Sequence, residues 1–225
     1  DLVRSRGLGD VYKRQVYVTS HNNQPGRAAH GGYAKKLGYF TRSRLSGAMQ
    51  DSSAVPSFYL YGESHRAAVP GFVHAEALDD RSRPSDWTIR PHAHRELAQL
   101  IFISKGGGDM RAEARTLRFT APSLLVVPAG LVHGFTWVAE TAGVVITMAS
   151  AYLAGLTARD ADASALFANA AALALPRGAA ASLQRRSRDL MRELGWSAPG
   201  HKTAVDAALL AILLAGIRAL SLIHI

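Results

Sequence analysis

Residues 55–150 alternate short runs of β-branched and aromatic side chains with clusters of turn formers, which is the pattern of an antiparallel β-barrel or sandwich. The clearest runs are 58–61, 72–78, 97–104, 124–127 and 144–148. Between them, Gly106-Gly107-Gly108-Asp109, Pro122-Ser123 and Pro128-Ala129-Gly130 supply residues that tolerate positive φ or start turns. One mainly-β domain is therefore expected over 49–150.

After residue 150 the chain turns to alanine and leucine at helical spacing, and helices are expected over 151–175, 180–194 and 203–220. In the last of these, Val205, Leu209, Ile212, Leu213, Ile217 and Leu220 fall three and four residues apart. They form one apolar face, suited to a partner helix, so 151–220 reads as a helical linker and dimerisation region. Only eleven uncharged residues separate Asp206 from Arg218. A membrane span needs about twenty, so no membrane partner is expected.

At 225 residues and 48% apolar, the chain can bury one sizeable core with a small helical unit beside it. It contains no cysteine, which excludes disulfides, thiolate metal sites and cysteine nucleophiles together. Any metal would need histidine, carboxylate or water. The net charge is +9, but +7 of it lies in residues 1–50, so the folded part is nearly balanced and its basicity is no argument for nucleic-acid binding.

Residues 1–48 show no sustained period and read as a disordered or non-native leader, with Met49 as the native start. The opening run through Gln15 and the closing 221–225 look like translated adapter sequence and are set aside. No apolar segment with a small-residue cleavage site precedes the domain, and the expected compartment is the cytoplasm.

The chemistry gathers in Pro91-His92-Ala93-His94-Arg95-Glu96. On a strand, His92, His94 and Glu96 would share one face. About forty residues on, the turn Pro128-Ala129-Gly130 leads to His133, which can meet them across a barrel interior. Three readings stay open: a divalent metal on His92, His94 and His133, hydrogen bonds to a small ligand, or histidines satisfied by backbone and solvent. Arg81, Trp87 and Arg90 lie just upstream and suit either a ligand's ring and carboxylate or a barrel rim. His133, Phe135 and Trp137 share parity, with core packing the expected duty of the aromatics. Ser104 and Ser123 have no base placed beside them, and the triple glycine lacks the helix and lysine of a phosphate loop.

These motifs resemble those of the cupin superfamily, whose second motif P-x-G-x-x-H is matched by Pro128, Gly130 and His133. Its first is matched by His92, His94 and Gly106, while Glu96 follows His94 more closely than in metal-binding members. More finely, 56–63, 81–94, Gln99-Leu100 and 127–135 are similar to the sensor domain of AraC-type transcription regulators, in particular the PobR-like branch, whose named member responds to 4-hydroxybenzoate. The resemblance implies a cupin-type jelly roll followed by a helical linker, acting as a sensor and not an enzyme. It implies a small aromatic acid as effector, bound by His92, His94, Glu96, His133, Arg90 and Trp87, with no cofactor. It also implies a homodimer joined through the 203–220 helix, and DNA contacts made by a C-terminal domain beyond this chain. The alternative is a metal-dependent cupin enzyme, a dioxygenase or isomerase, with a divalent metal on His92, His94 and His133.

Overall fold

A continuous apolar run such as Leu124-Leu125-Val126-Val127 needs cover on both faces of its sheet, and the tertiary structure supplies it. The computed structural model describes residues 16–17, 55–64, 66–196 and 198–223. The described strands are β1 (Val16–Tyr17), β2 (Phe72–Ala77), β3 (Thr88–His92), β4 (Leu97–Lys105), β5 (Gly107–Ala112), β6 (Arg115–Thr120), β7 (Ser123–Val127), β8 (His133–Trp137), β9 (Ala142–Ala149) and β10 (Ala171–Ala174). They form two antiparallel sheets, ordered β1-β2-β9-β4-β7-β10 and β3-β8-β5-β6. The described helices are α1 (Asp79–Ser82), α2 (Ser150–Thr157), α3 (Ala161–Leu166), α4 (Arg177–Gly195) and α5 (His201–Ile223).

Strand parity sorts the core into two layers. Ile101, Ile103, Leu125 and Val127 face inward onto Met110, Phe119, Phe135 and Trp137 of the smaller sheet. Their neighbours Leu100, Phe102, Leu124, Val126, Ile146 and Met148 face outward, under Leu183 and Leu190 of α4 and Val205, Leu209 and Ile212 of α5. Each such leucine or isoleucine contributes about 1.5–3 kcal/mol by leaving water. The smaller sheet has solvent on its outer side, so β8 alternates buried His133, Phe135 and Trp137 with exposed Thr136. The fold is a cupin-type jelly roll carrying two packed C-terminal helices.

Four expectations change. First, the alanine-rich stretch after 168, read as helix, is strand β10, with Ala171↔Val126 and Leu173↔Leu124 in register on the edge of β7. An open sheet edge demands partners for its N–H and C=O groups, and that demand overrides alanine's modest helical preference. The section read as linker thus completes the larger sheet. Second, residues 58–61 form no strand; Ser57 and Phe58 make only isolated bridges, to Ala93 and Ser64.

Third, Val205, Leu209, Ile212 and Leu213, assigned above to a dimer partner, are at most 1% exposed, covered by α4 and the outer face of the larger sheet of the same chain. Ile217 packs partly against the same cluster. The periodicity was real but its partner is intramolecular, because the larger sheet has an apolar outer face of its own to cover. Fourth, α5 continues through the charges at Asp206 and Arg218, and over His201–Leu222 it is long and apolar enough to cross a membrane, at mean hydropathy 2.0. Its buried face is taken up by the chain's own core.

Of the leader expected over 1–48, Val16–Tyr17 pair with Phe72 and Val73, and the rest lies outside the described residues. Of 221–225, helix α5 includes the first three, and residues 224–225 lie outside the described residues.

Candidate functional site

The two histidine motifs meet through a bulge. Strand β3 pairs with β8 as Thr88↔Thr136 and Ile89↔Phe135, then shifts register before His92↔His133. The shift places both rings on the inner face, directly opposite one another. Beyond His92 the chain stays extended, with Ala93 bridging Ser57, so His94 also turns inward. The Pro128-Ala129-Gly130 turn is tied to the first motif directly, since the Gly130 N–H donates to the His94 carbonyl at 2.8 Å. Gly130 has φ +77°, a left-handed conformation that favours glycine.

Each ring is held by its Nδ1. His92 Nδ1 lies 2.9 Å from the Arg90 carbonyl, His94 Nδ1 3.0 Å from that of Phe58, and His133 Nδ1 2.8 Å from that of Leu131. A carbonyl only accepts, so in each case Nδ1 carries the proton and Nε2 presents a lone pair. The three coordinating nitrogens lie within 4.8 Å of one another, with His92 and His94 Nε2 3.1 Å apart. His133 Nε2 is buried without a hydrogen-bond partner. All three rings are at most 2% exposed. Burial lowers the pKa of each, that of His92 to about 4 and that of His133 to about 3; neighbouring rings add to the effect at His92 and His133, and the Arg81 charge adds to it at His94. At neutral pH the cluster is uncharged and accepts.

Beside His92 a cavity of about 40 Å³ is lined by Tyr61, Glu76, Arg81, Gln99, Phe135 and Trp137 among others. Glu76 holds Arg81 Nε at 2.7 and 2.9 Å, and His74 Nε2 stands 3.4 Å from its other side. Burial pushes the Glu76 carboxyl up, but His74 and Arg81 together bring it below its ordinary value. Gln99 Nε2 donates to Thr147 Oγ1 at 3.2 Å. The Trp137 indole Nε1 is a buried donor with no partner.

The structure brings His92, His94 and His133 together, places Arg81 on the cavity that His92 lines, and leaves Glu96, Arg90 and Trp87 apart from them. Arg95 and Glu96 form a turn, so the strand parity that would have carried Glu96 inward is lost. Glu96 is exposed, and its carboxylate accepts from the Ala68 N–H at 2.7 Å. Arg90 points outward to solvent, and it is its backbone carbonyl that serves the site. Trp87 packs against the inner core with the Arg83 guanidinium 5.2 Å from its ring centroid, and does not line the cavity. Arg81 does line it. Glu76 and Gln99 escaped the sequence reading. Their signal was a polar residue of inward parity on a strand, Glu76 together with His74 on β2 and Gln99 alone within the apolar β4.

No family model matches the sequence, and neither does any curated protein. Among solved structures, the AraC-like transcriptional activator CuxR aligns over 64% of this chain and 48% of its own, at 15% identity and TM-score 0.40. ToxT from Vibrio cholerae, bound to (E)-4-(8-methylnaphthalen-1-yl)but-3-enoic acid, aligns over 64% and 54%, at 10% identity and TM-score 0.39. A cupin-like protein from Thermotoga maritima aligns over 36% and 69%, at 13% identity and TM-score 0.24. These are distant likenesses of fold to AraC-like regulators and cupins. The chain spans about half the length of the two AraC-like proteins.

Proposed function

We propose that the chain is the effector-sensing portion of an AraC-type transcription regulator, which takes a small aromatic acid such as 4-hydroxybenzoate into the barrel beside His92, His94 and His133. The observation that carries this reading is the partnerless His133 Nε2, buried among three inward-facing acceptors next to an aromatic-lined cavity. Of the three rings His92 lines the cavity, and the His133 ring lies behind it at 4.4 Å between centroids. Buried polar groups are nearly always paired, so an orphan acceptor this close to a cavity marks a place where a ligand completes the set. At about 40 Å³ the cavity has room for roughly three waters, a single water needing about 10–15 Å³. A whole aromatic ring therefore requires side chains to move, and a sensor depends on such a difference between free and bound states. In this reading the protein works in the cytoplasm as a homodimer, and DNA is contacted by a domain outside this chain.

A second reading, a metal-dependent cupin enzyme, is favoured by the same three rings. Histidines that ligate a metal commonly donate their other N–H to a carbonyl, and His92, His94 and His133 all do so. The residues fit a divalent ion, which would supply Lewis-acid chemistry when bound. One experiment separates the two: metal analysis of the purified chain and its His92→Ala variant, with thermal melts in 4-hydroxybenzoate and a chelator. Sensing without metal predicts a raised Tm with the chelator present. Stoichiometric metal that the variant loses, with no response to the acid, would establish the second reading and end the first.

A further inference from the structure

The barrel interior also specifies the kind of chemical group that it receives, and this step rests on the ligand-sensing reading above. His92, His94 and His133 turn only acceptors toward the interior, because each Nδ1–H is committed to a backbone carbonyl. His92 and His94 set their Nε2 lone pairs 3.1 Å apart with no proton between them to share, so the pair is relieved by a donor that reaches both. A carboxylate is itself an acceptor and would add a third set of lone pairs to that point.

The one cation lining the cavity does not alter this. All three nitrogens of Arg81 are engaged: Nε with the Glu76 carboxylate, one terminal nitrogen with the Tyr61 carbonyl at 2.6 Å, the other with Glu63 at 3.3 Å. Glu76 is held by Arg81 and flanked by His74, so no anion is left over to meet an organic ammonium either. An interior whose fixed charges already cancel disfavours burying a further charge of either sign.

We infer that the buried end of the ligand is a neutral hydroxyl, that of a phenol, donating to the imidazole cluster while its ring lies against Phe135 and Trp137. A negatively charged substituent on the same ring then stays outside the cavity. For a hydroxylated aromatic acid, the hydroxyl and not the acid is the group recognised.

The test compares probes on the unaltered full chain in the presence of a chelator: p-cresol, 4-hydroxybenzoate, 4-methoxybenzoate, benzoate and benzylamine, each titrated calorimetrically and by thermal shift. Hydroxylated probes should bind at least about tenfold more tightly than 4-methoxybenzoate, benzoate and benzylamine, since removing the donor leaves buried acceptors unpaired. In a His133→Phe variant that keeps its circular dichroism spectrum, the preference for hydroxyl should vanish. If benzoate matches 4-hydroxybenzoate, or benzylamine binds most tightly, the inference is wrong while ligand sensing stands. If no organic probe binds and only a divalent metal stabilises the chain, both fall together.

Discussion

His92 Nε2 stands 3.1 Å from His94 Nε2 although each ring already donates through Nδ1 to a backbone carbonyl, at 2.9 and 3.0 Å. Two neutral imidazoles with that tautomer face each other lone pair to lone pair. The contact is unfavourable by itself and persists because the β3 bulge and the Phe58 carbonyl dictate where both rings go. Strain held at one point by surrounding structure is what a binding or coordination site requires.

Acid should destabilise the fold well before carboxylates titrate. His92 ionises at about 4 in the folded chain against an ordinary 6.5, and His133 at about 3. Between these values the unfolded chain binds more protons, so stability is full above pH 6.5 and falls as pH drops toward 4. His92 alone accounts for about 3 kcal/mol of that loss. Urea unfolding at pH 7.5, 6 and 5 should show a declining midpoint with unchanged slope, and a His92→Phe variant a shallower decline. A midpoint that does not move over this range would mean the rings are not buried and neutral.

Removing Arg81 should leave Glu76 unpaired at a site where its side chain is only 14% exposed. Arg81→Ala is expected to cost about 2–3 kcal/mol, the partial exposure keeping it below a fully buried pair. Glu76→Gln in the same chain should restore part of the loss. A double-mutant cycle by chemical denaturation measures the coupling, which should exceed about 1 kcal/mol.

Gly134 sits between His133 and Phe135, where a Cβ would come 2.8 Å from the Ile89 carbonyl oxygen and 3.0 Å from Pro91 N. Both are backbone atoms of β3, so Gly134→Ala must push that strand away. A loss of about 1–3 kcal/mol is expected, together with disturbed His92 and His133 imidazole resonances. Unchanged histidine spectra would show that the bulge is not what seats the rings.

Helix α5 carries two distinct leucine faces. Leu209→Ala should cost about 2–5 kcal/mol, because the residue is 0% exposed under the barrel. Leu214→Ala, at 44% exposure, should change stability by less than about 0.5 kcal/mol. If this helix joins two copies, sedimentation should respond to charge placed at Leu210 and Leu214 and not to the Leu209 change, which reports only on folding.

The strands β2, β4, β7 and β9, the change to helices after 150 and the pairing of the His92-His94 motif with His133 were all legible in the residues. They rest on local preferences: β-branched runs, turn-forming glycines and prolines, and side-chain parity along a strand. Parity failed at Glu96, because β3 ends at His92 and a turn at Arg95-Glu96 follows, which nothing in those two residues announces. Ala171–Ala174 became a strand only because the edge of β7 lacked a neighbour. The Val205 to Leu213 face could be read as apolar, but not as belonging to this chain's own core. Glu76, Arg81 and Gln99 come together at the cavity from separate parts of the fold. Periodicity along a chain encodes which faces must leave water, whereas the partner that covers each face is a property of the whole packing, decided when distant segments compete for the same surface.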